Sequence, residues 1–553
     1  MRFPIRQLRF LSCCCCCRFV LVIFRLFWRI YSWTLREIER RFCLFPVDNV
    51  KIRRPPNAKA TLCFLLLVTS FNFFFDRIEH HMVFLSTTIY TNSAIYEPHT
   101  AVSLINAEDY GWGRAPLRLR RALVCTASNG THTKVSRAQI RWAYQPVGIC
   151  KWTAYIGICQ TLPNLVELSL SDTSVNSQPV NIPFRLAFST RRLNVAACFS
   201  PLFYMERWQI IFYIQSILAS IMDVIELYRK AGIVELEPWP SIELDEQSEV
   251  RVGFDPNIEL DWRNQASAHT DCLLKYREAT MFIIVGDLDD VLIPRLGSRY
   301  IDEFRLLSSV YPNAAGFTYN RFNTELESGS QVRDYSLARL VESAHISDQN
   351  ETGKYVINTS RVETAWLHYP GIKLGWVKMF TVPTDLNIMV HLRNWTIDER
   401  IDSKANLLRR RRRRRRRKRT EPIDWGDESL RLPGGHASRL SELMSARQLA
   451  RMESAFVRML SSHGETFRRL PTAQHYLPMM VDCYNRIFYS QKNRKPNFCP
   501  GPVKCMLPQI SGLHCKVAKM RMAKPRQISW RIIVHVPKNE FEFVSRLDGC
   551  SLR

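Results

Sequence analysis

The chain has 553 residues, 46% of them apolar, and a formal net charge of +26 from 77 Lys and Arg against 51 Asp and Glu. That apolar content supports a folded core and excludes a wholly disordered chain, with length for about three or four domains. The charge is concentrated: residues 1–59 hold 13 basic and three acidic residues, and 409–419 is an unbroken run of eleven basic ones, leaving +5 elsewhere. A near-neutral remainder excludes a fold whose whole surface tracks nucleic-acid phosphate, and no nucleic-acid partner is expected.

In chain order, the first apolar stretch, 11–33, is interrupted by Arg18, Arg25 and Arg29 and is a poor membrane span. The second, 60–75 (ATLCFLLLVTSFNFFF), is uncharged, with Lys51, Arg53, Arg54 and Lys59 before it and Asp76 after it. Its length and flank asymmetry predict a type II anchor: a basic cytosolic tail over 1–59, a span over 60–75 and a lumenal remainder. A cleaved signal peptide or a buried segment is the alternative. Beyond a lumenal stem or N-terminal lumenal region over 76–190, ten cysteines from Cys125 to Cys550 make an even set suited to disulfides, and sequons stand at Asn129, Asn350, Asn358 and Asn394.

From residue 191 the pattern is α/β. Residues 193–199 (LNVAACF), 210–214 (IIFYI), 233–236 and 281–285 (MFIIV) read as strands, apolar enough to be buried on both faces of a parallel sheet. Between the second and third, 216–230 reads as a helix with Ile217, Ile221, Val224, Ile225 and Tyr228 on one face and Gly232 past its end. Only six residues separate Phe203 from Ile210, whereas parallel neighbours need a crossover of about a dozen or more. The gap reads as the loss of roughly one helix, through a faulty gene model or splice form or through a mis-assembled sheet.

The chemistry concentrates in EATMFIIVGDLDDVLIP, where a strand runs into Gly286 and then Asp287, Leu288, Asp289 and Asp290. In open α/β sheets ligands bind outside the carboxyl ends of strands. Three carboxylates there repel one another unless a cation neutralises them, and hard oxygen ligands select Mg2+ or Mn2+. An Asp-x-Asp at such a place can hold a metal against a nucleoside diphosphate; a solvated acidic turn and a calcium loop are the alternatives, the EF-hand form failing at Leu292 and Tyr300. A second run, 386–392 (LNIMVHL), carries His391 and leads to Arg393, where an imidazole could complete a metal site and a guanidinium meet phosphate. A lone strand histidine is more often a satisfied core residue than a ligand, and His368 is similarly ambiguous.

Taken in order and spacing, VAACFSPLFYMERWQ (195–209), YIQSILASIMDVIELYRKAGIVELEPW (213–239), NQASAHTDCLLKYREATMFIIVGDLDDVLIP (264–294), GKYVINTSRVETAWLH (353–368) and VHLRNW (390–395) resemble glycosyltransferase family 92 in its nematode-rich form. The resemblance covers most of 80–550 except the arginine run. It implies a GT-A-type, Rossmann-like nucleotide-sugar-binding fold over 191–400, an Arg-rich low-complexity insertion over 401–425 and a cysteine-containing region over 426–553. It further implies a Golgi type II membrane glycoprotein that transfers a hexose, typically galactose from UDP-galactose, to a glycan or glycoprotein acceptor with inversion. By that resemblance Asp287 and Asp289 take the Asp-x-Asp role toward ribose and the Mn2+ diphosphate, with Asp289 and Asp290 as the catalytic acids. Asp287, Asp289 and His391 become metal ligands, and Asp287, Lys354 and Arg393 contact the nucleotide sugar. Leu392 replaces the tyrosine of the family's His-Tyr-Arg element, and the family's helix is missing before Ile210. Glu325, Glu327 and Glu363 compete for the base that inversion needs. A catalytically inactive lumenal protein of the same fold is the alternative.

Overall fold

A computed structural model of the chain describes residues 80–550 apart from 109–122, 174–176, 202–215, 330–331, 333–334, 399–430, 433–434, 472–473, 490–497, 502–503, 506 and 530–531. The expected anchor over 60–75, the strand over 210–214 and the arginine run therefore lie outside the described residues. Among the described residues no helix is long and apolar enough to cross a membrane.

Residues 193–398 build a seven-stranded sheet: β1 (Leu193–Phe199), β2 (Thr280–Gly286), β3 (Asp290–Leu292), β4 (Ala314–Gly329), β5 (His345–Asn358), β6 (Lys378–Thr381) and β7 (Met389–Asp398), in the order β1-β2-β5-β4-β7-β3 with β6 also on β4. It is mixed, not parallel throughout. β1 runs parallel to β2, and β4 parallel to β6 and β7, while β5 is antiparallel to both neighbours and β3 to β7. Near-continuous apolar runs report burial on two faces and carry no strand direction, which is why the expected direction failed. β7 starts three residues later than its apolar run, Leu386 and Ile388 being buried ahead of it.

The strand expected over 210–214 lies outside the described residues, and the helix and strand expected after it do not join this sheet. Helix α1 (Ala219–Lys230) exists, closed by Gly232 at φ +69°, but its preceding strand Ser216–Leu218 pairs antiparallel with Cys515–Met522, and 233–236 is irregular. Ile221, Val224 and Ile225 are buried against Phe456, Phe467 and Tyr476 instead. Among the described residues β1 therefore has a neighbour on one side only, and Phe199 is 42% exposed although the run reads as buried. Helix α2 (Gln265–Tyr276) reaches the sheet just before β2 and is joined to β1 by the Cys198–Cys272 disulfide.

The described residues between 80 and 186 form two further sheets. His80–Tyr90, Thr100–Glu108, Trp152–Gln160 and Gln139–Trp142 pair in that order, and Ile532–His535 followed by Arg526–Ser529 extends the sheet beyond His80–Tyr90. A second sheet, formed by Leu123–Ser128, Thr133–Arg137, Glu167–Asp172 and Val180–Asn181, packs with it through Met82, Phe84, Ile105, Leu168 and Leu170. Cys125–Cys159 links the two sheets, and Cys150–Cys499 spans 349 residues. Cys483–Cys505 and Cys515–Cys550 complete the pairing of all ten cysteines.

His81 and His535 meet across the parallel pair in this sheet, Nδ1 to Nε2 at 3.0 Å, both 1% exposed. Burial, followed by the facing His81, lowers His535 to about 4. An unfolded histidine takes up its proton near pH ~6.5, so between about 6.5 and 4 the unfolded chain binds a proton that the folded one refuses. The contribution is complete above that window and lost as pH falls through it, by roughly 3 kcal/mol at its lower end. A urea midpoint measured at pH 7 and pH 5 should fall more in the wild type than in His535→Leu; an equal fall in the two would refute the assignment.

Candidate active site

β2 delivers Gly286 to the sheet's carboxyl end, and the chain turns at once. Asp290 N donates to Asp287 O at 3.0 Å, and Asp287 N donates back to Asp290 Oδ2 at 3.0 Å, so the acidic turn is closed by its own last carboxylate. β3 then pairs with β7 so that Asp290 lies directly opposite His391, and β4 sets Asn323 opposite His391 on the other side of β7. In the β4–β5 pair, Tyr319 faces Lys354 and Arg321 faces Glu351. Four strands thereby place their polar residues at neighbouring register positions within an otherwise apolar sheet.

Asp289, Asp290 and His391 bring ligand atoms within 4.8 Å of one another. His391 Nε2 lies 3.1 Å from Asp289 Oδ2. Asn323 settles which imidazole nitrogen carries the proton: its amide NH2 donates to Glu351 Oε1 at 3.1 Å, so its Oδ1 faces His391 Nδ1 at 2.8 Å as an acceptor. Nδ1 is then the donor, and the Nε2 lone pair points at the Asp289 carboxylate. Two acceptors at that distance repel unless a proton or a cation lies between them. With no ion, His391 meets this by holding a second proton: burial opposes its charge, but the hydrogen bonds to Asp289 and Glu351 raise it to about 9. Two carboxylates and one imidazole with its other nitrogen anchored are a donor set that could hold a divalent cation.

Asp287 is differently engaged. Lys354, 1% exposed, gives its ammonium to Asp287 Oδ2 at 2.9 Å and to Leu367 O at 3.2 Å, and lies 3.8 Å from Asp290 Oδ2. Asp287 Oδ1 accepts from Gln265 Nε2 at 2.6 Å and from the Ser200 hydroxyl. Burial alone would raise Asp287, but Lys354 and these hydrogen bonds hold it well below the usual carboxylate range. Asp290 is pushed the other way, by burial and then by the Asp287 charge. Of the expected site residues, Asp287, Asp289, Asp290, Lys354, His391 and Arg393 all join one connected cluster, with Asp290 in the compact group with Asp289 and His391, and Asp287 bound to Lys354.

Arg321 and Glu351 connect the rest. Arg321 bonds Asp290 Oδ1 at 3.1 Å and Glu351 Oε2 at 2.8 Å, and Arg393 reaches Glu351 Oε1 at 2.6 Å. The hydrogen bond from His391 first, then that from Asn323 and the charge of Arg393, lower Glu351 to about 2 against the opposing effect of burial. His269, fully buried beside Ser200 and Gln265, is lowered by burial to about 3 and is neutral. Sequence reasoning missed Ser200, Gln265, Arg321, Asn323 and Glu351. Ser200 was within reach, since it follows a strand parallel to β2 in which Phe199 pairs Gly286, the same carboxyl-end logic that singled out Asp287. Of the three expected bases, Glu325 and Glu327 are exposed on β4, whereas Glu363 is buried and paired with Arg141. His368 Nδ1 donates to Gly353 O at 3.0 Å.

Residues 208–426 match the family described as Glycosyltransferase family 92. Three Caenorhabditis elegans proteins, each described as a glycosyltransferase family 92 protein, are similar to this chain. One is 31% identical over 473 residues, covering 80% of this chain and 85% of the relative; a second is 29% identical over 379 residues, covering 64% and 69%. The third is 26% identical over 533 residues, covering 89% and 96%.

Proposed function

As a chain that belongs to glycosyltransferase family 92, this protein is an enzyme of glycosyl transfer, and we propose that it moves a hexose, galactose from UDP-galactose, to a glycan acceptor with inversion, on a GT-A-type fold. The observation that carries this reading is the convergence of Asp289, Asp290 and His391 at the carboxyl end of β2. Asp289, Asp290 and His391 would hold Mn2+ or Mg2+, which supplies countercharge to the diphosphate as it departs. Asp287 has the ribose as its partner in this reading, and Arg393, 40% exposed at the margin of the cluster, is the guanidinium available to phosphate. Lys354 serves from beneath, keeping Asp287 ionised and its carboxylate fixed.

In the transfer, the acceptor oxygen bonds to the anomeric carbon as the carbon–oxygen bond to the diphosphate breaks, and the hydroxyl proton passes to a carboxylate on the opposite face. Glu325, Glu327 and Glu363 stay the candidates for that carboxylate. A Golgi type II placement accompanies the proposal; it is supported by five disulfides and by sequons at Asn129, in the turn of a hairpin, and at exposed Asn350.

The test is Mn2+-dependent hydrolysis or transfer across a panel of UDP-hexoses. Asp289→Ala should cost about 100- to 1,000-fold in turnover without loss of fold, since the Asp289 side chain is 28% exposed. Treatment of the same preparation with an N-glycan-removing enzyme should lower its mass. One observation favours a second reading, an inactive protein of the same fold: among the described residues no strand pairs with the outer side of β1, which is half-exposed. A folded protein with no Mn2+-dependent turnover of any UDP-hexose would support it.

A further inference from the structure

A cavity of about 240 Å³ lies apart from the acidic cluster, between the His80–Tyr90 strand, the segment before Arg185–Leu186, the loop over 237–240 and helix α2. Its wall includes Ser86, Phe184, Arg185, Glu237, Trp239 and Asp271. Asp271 stands six residues after Gln265 on α2, about 9 Å along the axis, so one helix serves both places.

The wall is mainly apolar, with a few charged groups that balance one another. Asp271 is buried, its Oδ1 accepting from Arg185 Nη2 at 2.6 Å and from the Ser86 hydroxyl. Glu237 pairs with Lys275 and accepts from Tyr276 Oη at 3.2 Å. The Arg185 side chain is 30% exposed, so its guanidinium can be met from the cavity, although its Nε is itself buried with no hydrogen-bond partner among the described residues. With each acid matched by a base, there is no surplus charge to draw a phosphate or an acidic sugar. The indole of Trp239 and the ring of Phe184 add flat apolar surface. A ligand for such a site has an apolar face, a rim of groups that both donate and accept, and no charge. The volume falls below the ~300–1,000 Å³ of pockets for drug-sized ligands, so it suits a single ring.

We propose that this cavity binds one neutral pyranose residue of a glycan, a C–H face toward the aromatic wall and vicinal hydroxyls toward Asp271 and Arg185. This deepens the acceptor side of the function proposed above, and rests on it only for the sugar's role in transfer, not for its binding.

Saturation-transfer NMR on the full chain in detergent, without donor or metal, tests it with methyl β-D-galactopyranoside, methyl α-D-mannopyranoside and methyl N-acetyl-β-D-glucosaminide. Transfer to ring protons of at least one is expected, with Trp239→Ala weakening its binding by about tenfold or more. Arg185→Lys, which keeps the charge but loses the forked donors, should weaken it as well. Mn2+-dependent UDP binding, titrated separately, should be unchanged in both variants; its absence from the wild type would count against the donor site and not against the cavity. No transfer to any of the three glycosides, or undiminished transfer in a folded Trp239→Ala or Arg185→Lys protein, overturns the proposal.

Discussion

Replacing Lys354 with methionine is expected to destabilise the protein by about 3–5 kcal/mol, the cost of removing one partner from a buried ion pair. The side chain is 1% exposed and its ammonium is the close cation for Asp287, with Asp290 3.8 Å away. Methionine retains the apolar stem and removes the charge, so the two carboxylates would be left with Arg321, which is 3.1 Å from Asp290 but 4.0 Å from Asp287. The unpaired charge would have to take up a proton or attract another cation. The loss should therefore shrink when denaturation is repeated with millimolar Mn2+, and shrink again as pH falls toward the carboxylate range. A variant within about 1 kcal/mol of wild type in urea would show that Lys354 is not the counter-ion of the acidic turn. Lys354→Arg should not restore stability, because a guanidinium is larger and its fork does not fit a slot shaped around one Nζ.

The acidic turn was legible because its signal is local: a strand of apolar residues, a glycine and three carboxylates within four positions. His391 was legible for a related reason, since a polar residue inside an apolar strand asks for a partner. Arg321, Asn323 and Glu351 had no such mark. Their roles follow from the register of β4 against β5 and β7, pairings 30 to 68 residues apart, and a shift of one residue would turn each to the opposite face. The disulfide-suited cysteines were countable, but which sulfur meets which depends on the fold. The reading of 216–236 as a helix and strand of the same sheet misled because amphipathic periodicity says that α1 buries a face without saying against what. Its partners, Phe456 and Tyr476, lie more than two hundred residues away. Local pattern therefore identified chemistry and element type, whereas long-range pairing decided direction, sheet membership and the supports of each ligand.

Those supports are where the second large effect is expected. Glu351 touches none of the ligand atoms of the Asp289, Asp290, His391 group except through His391, whose Nδ1 lies 3.3 Å from Oε2. It also receives the Asn323 amide, whose orientation aims Oδ1 at that same Nδ1. Glu351→Ala removes the group that orients Asn323, so the amide is free to turn and the imidazole is no longer obliged to present Nε2 toward Asp289. Loss of a partner behind a ligating histidine costs about 10- to 100-fold in metal affinity, and that is the expected weakening of Mn2+ binding by electron paramagnetic resonance titration. Stability should move less than in Lys354→Met, because Arg321 keeps Asp290 and Arg393 is exposed to water. Glu351→Gln should recover part of the affinity, since a side-chain oxygen remains to receive Asn323. If Glu351→Ala binds Mn2+ as tightly as wild type, the imidazole is held by packing alone. If Mn2+ does not bind the wild type at all, the Asp289–His391 contact is an ordinary ion pair, and the cluster neutralises itself with Lys354 and Arg321.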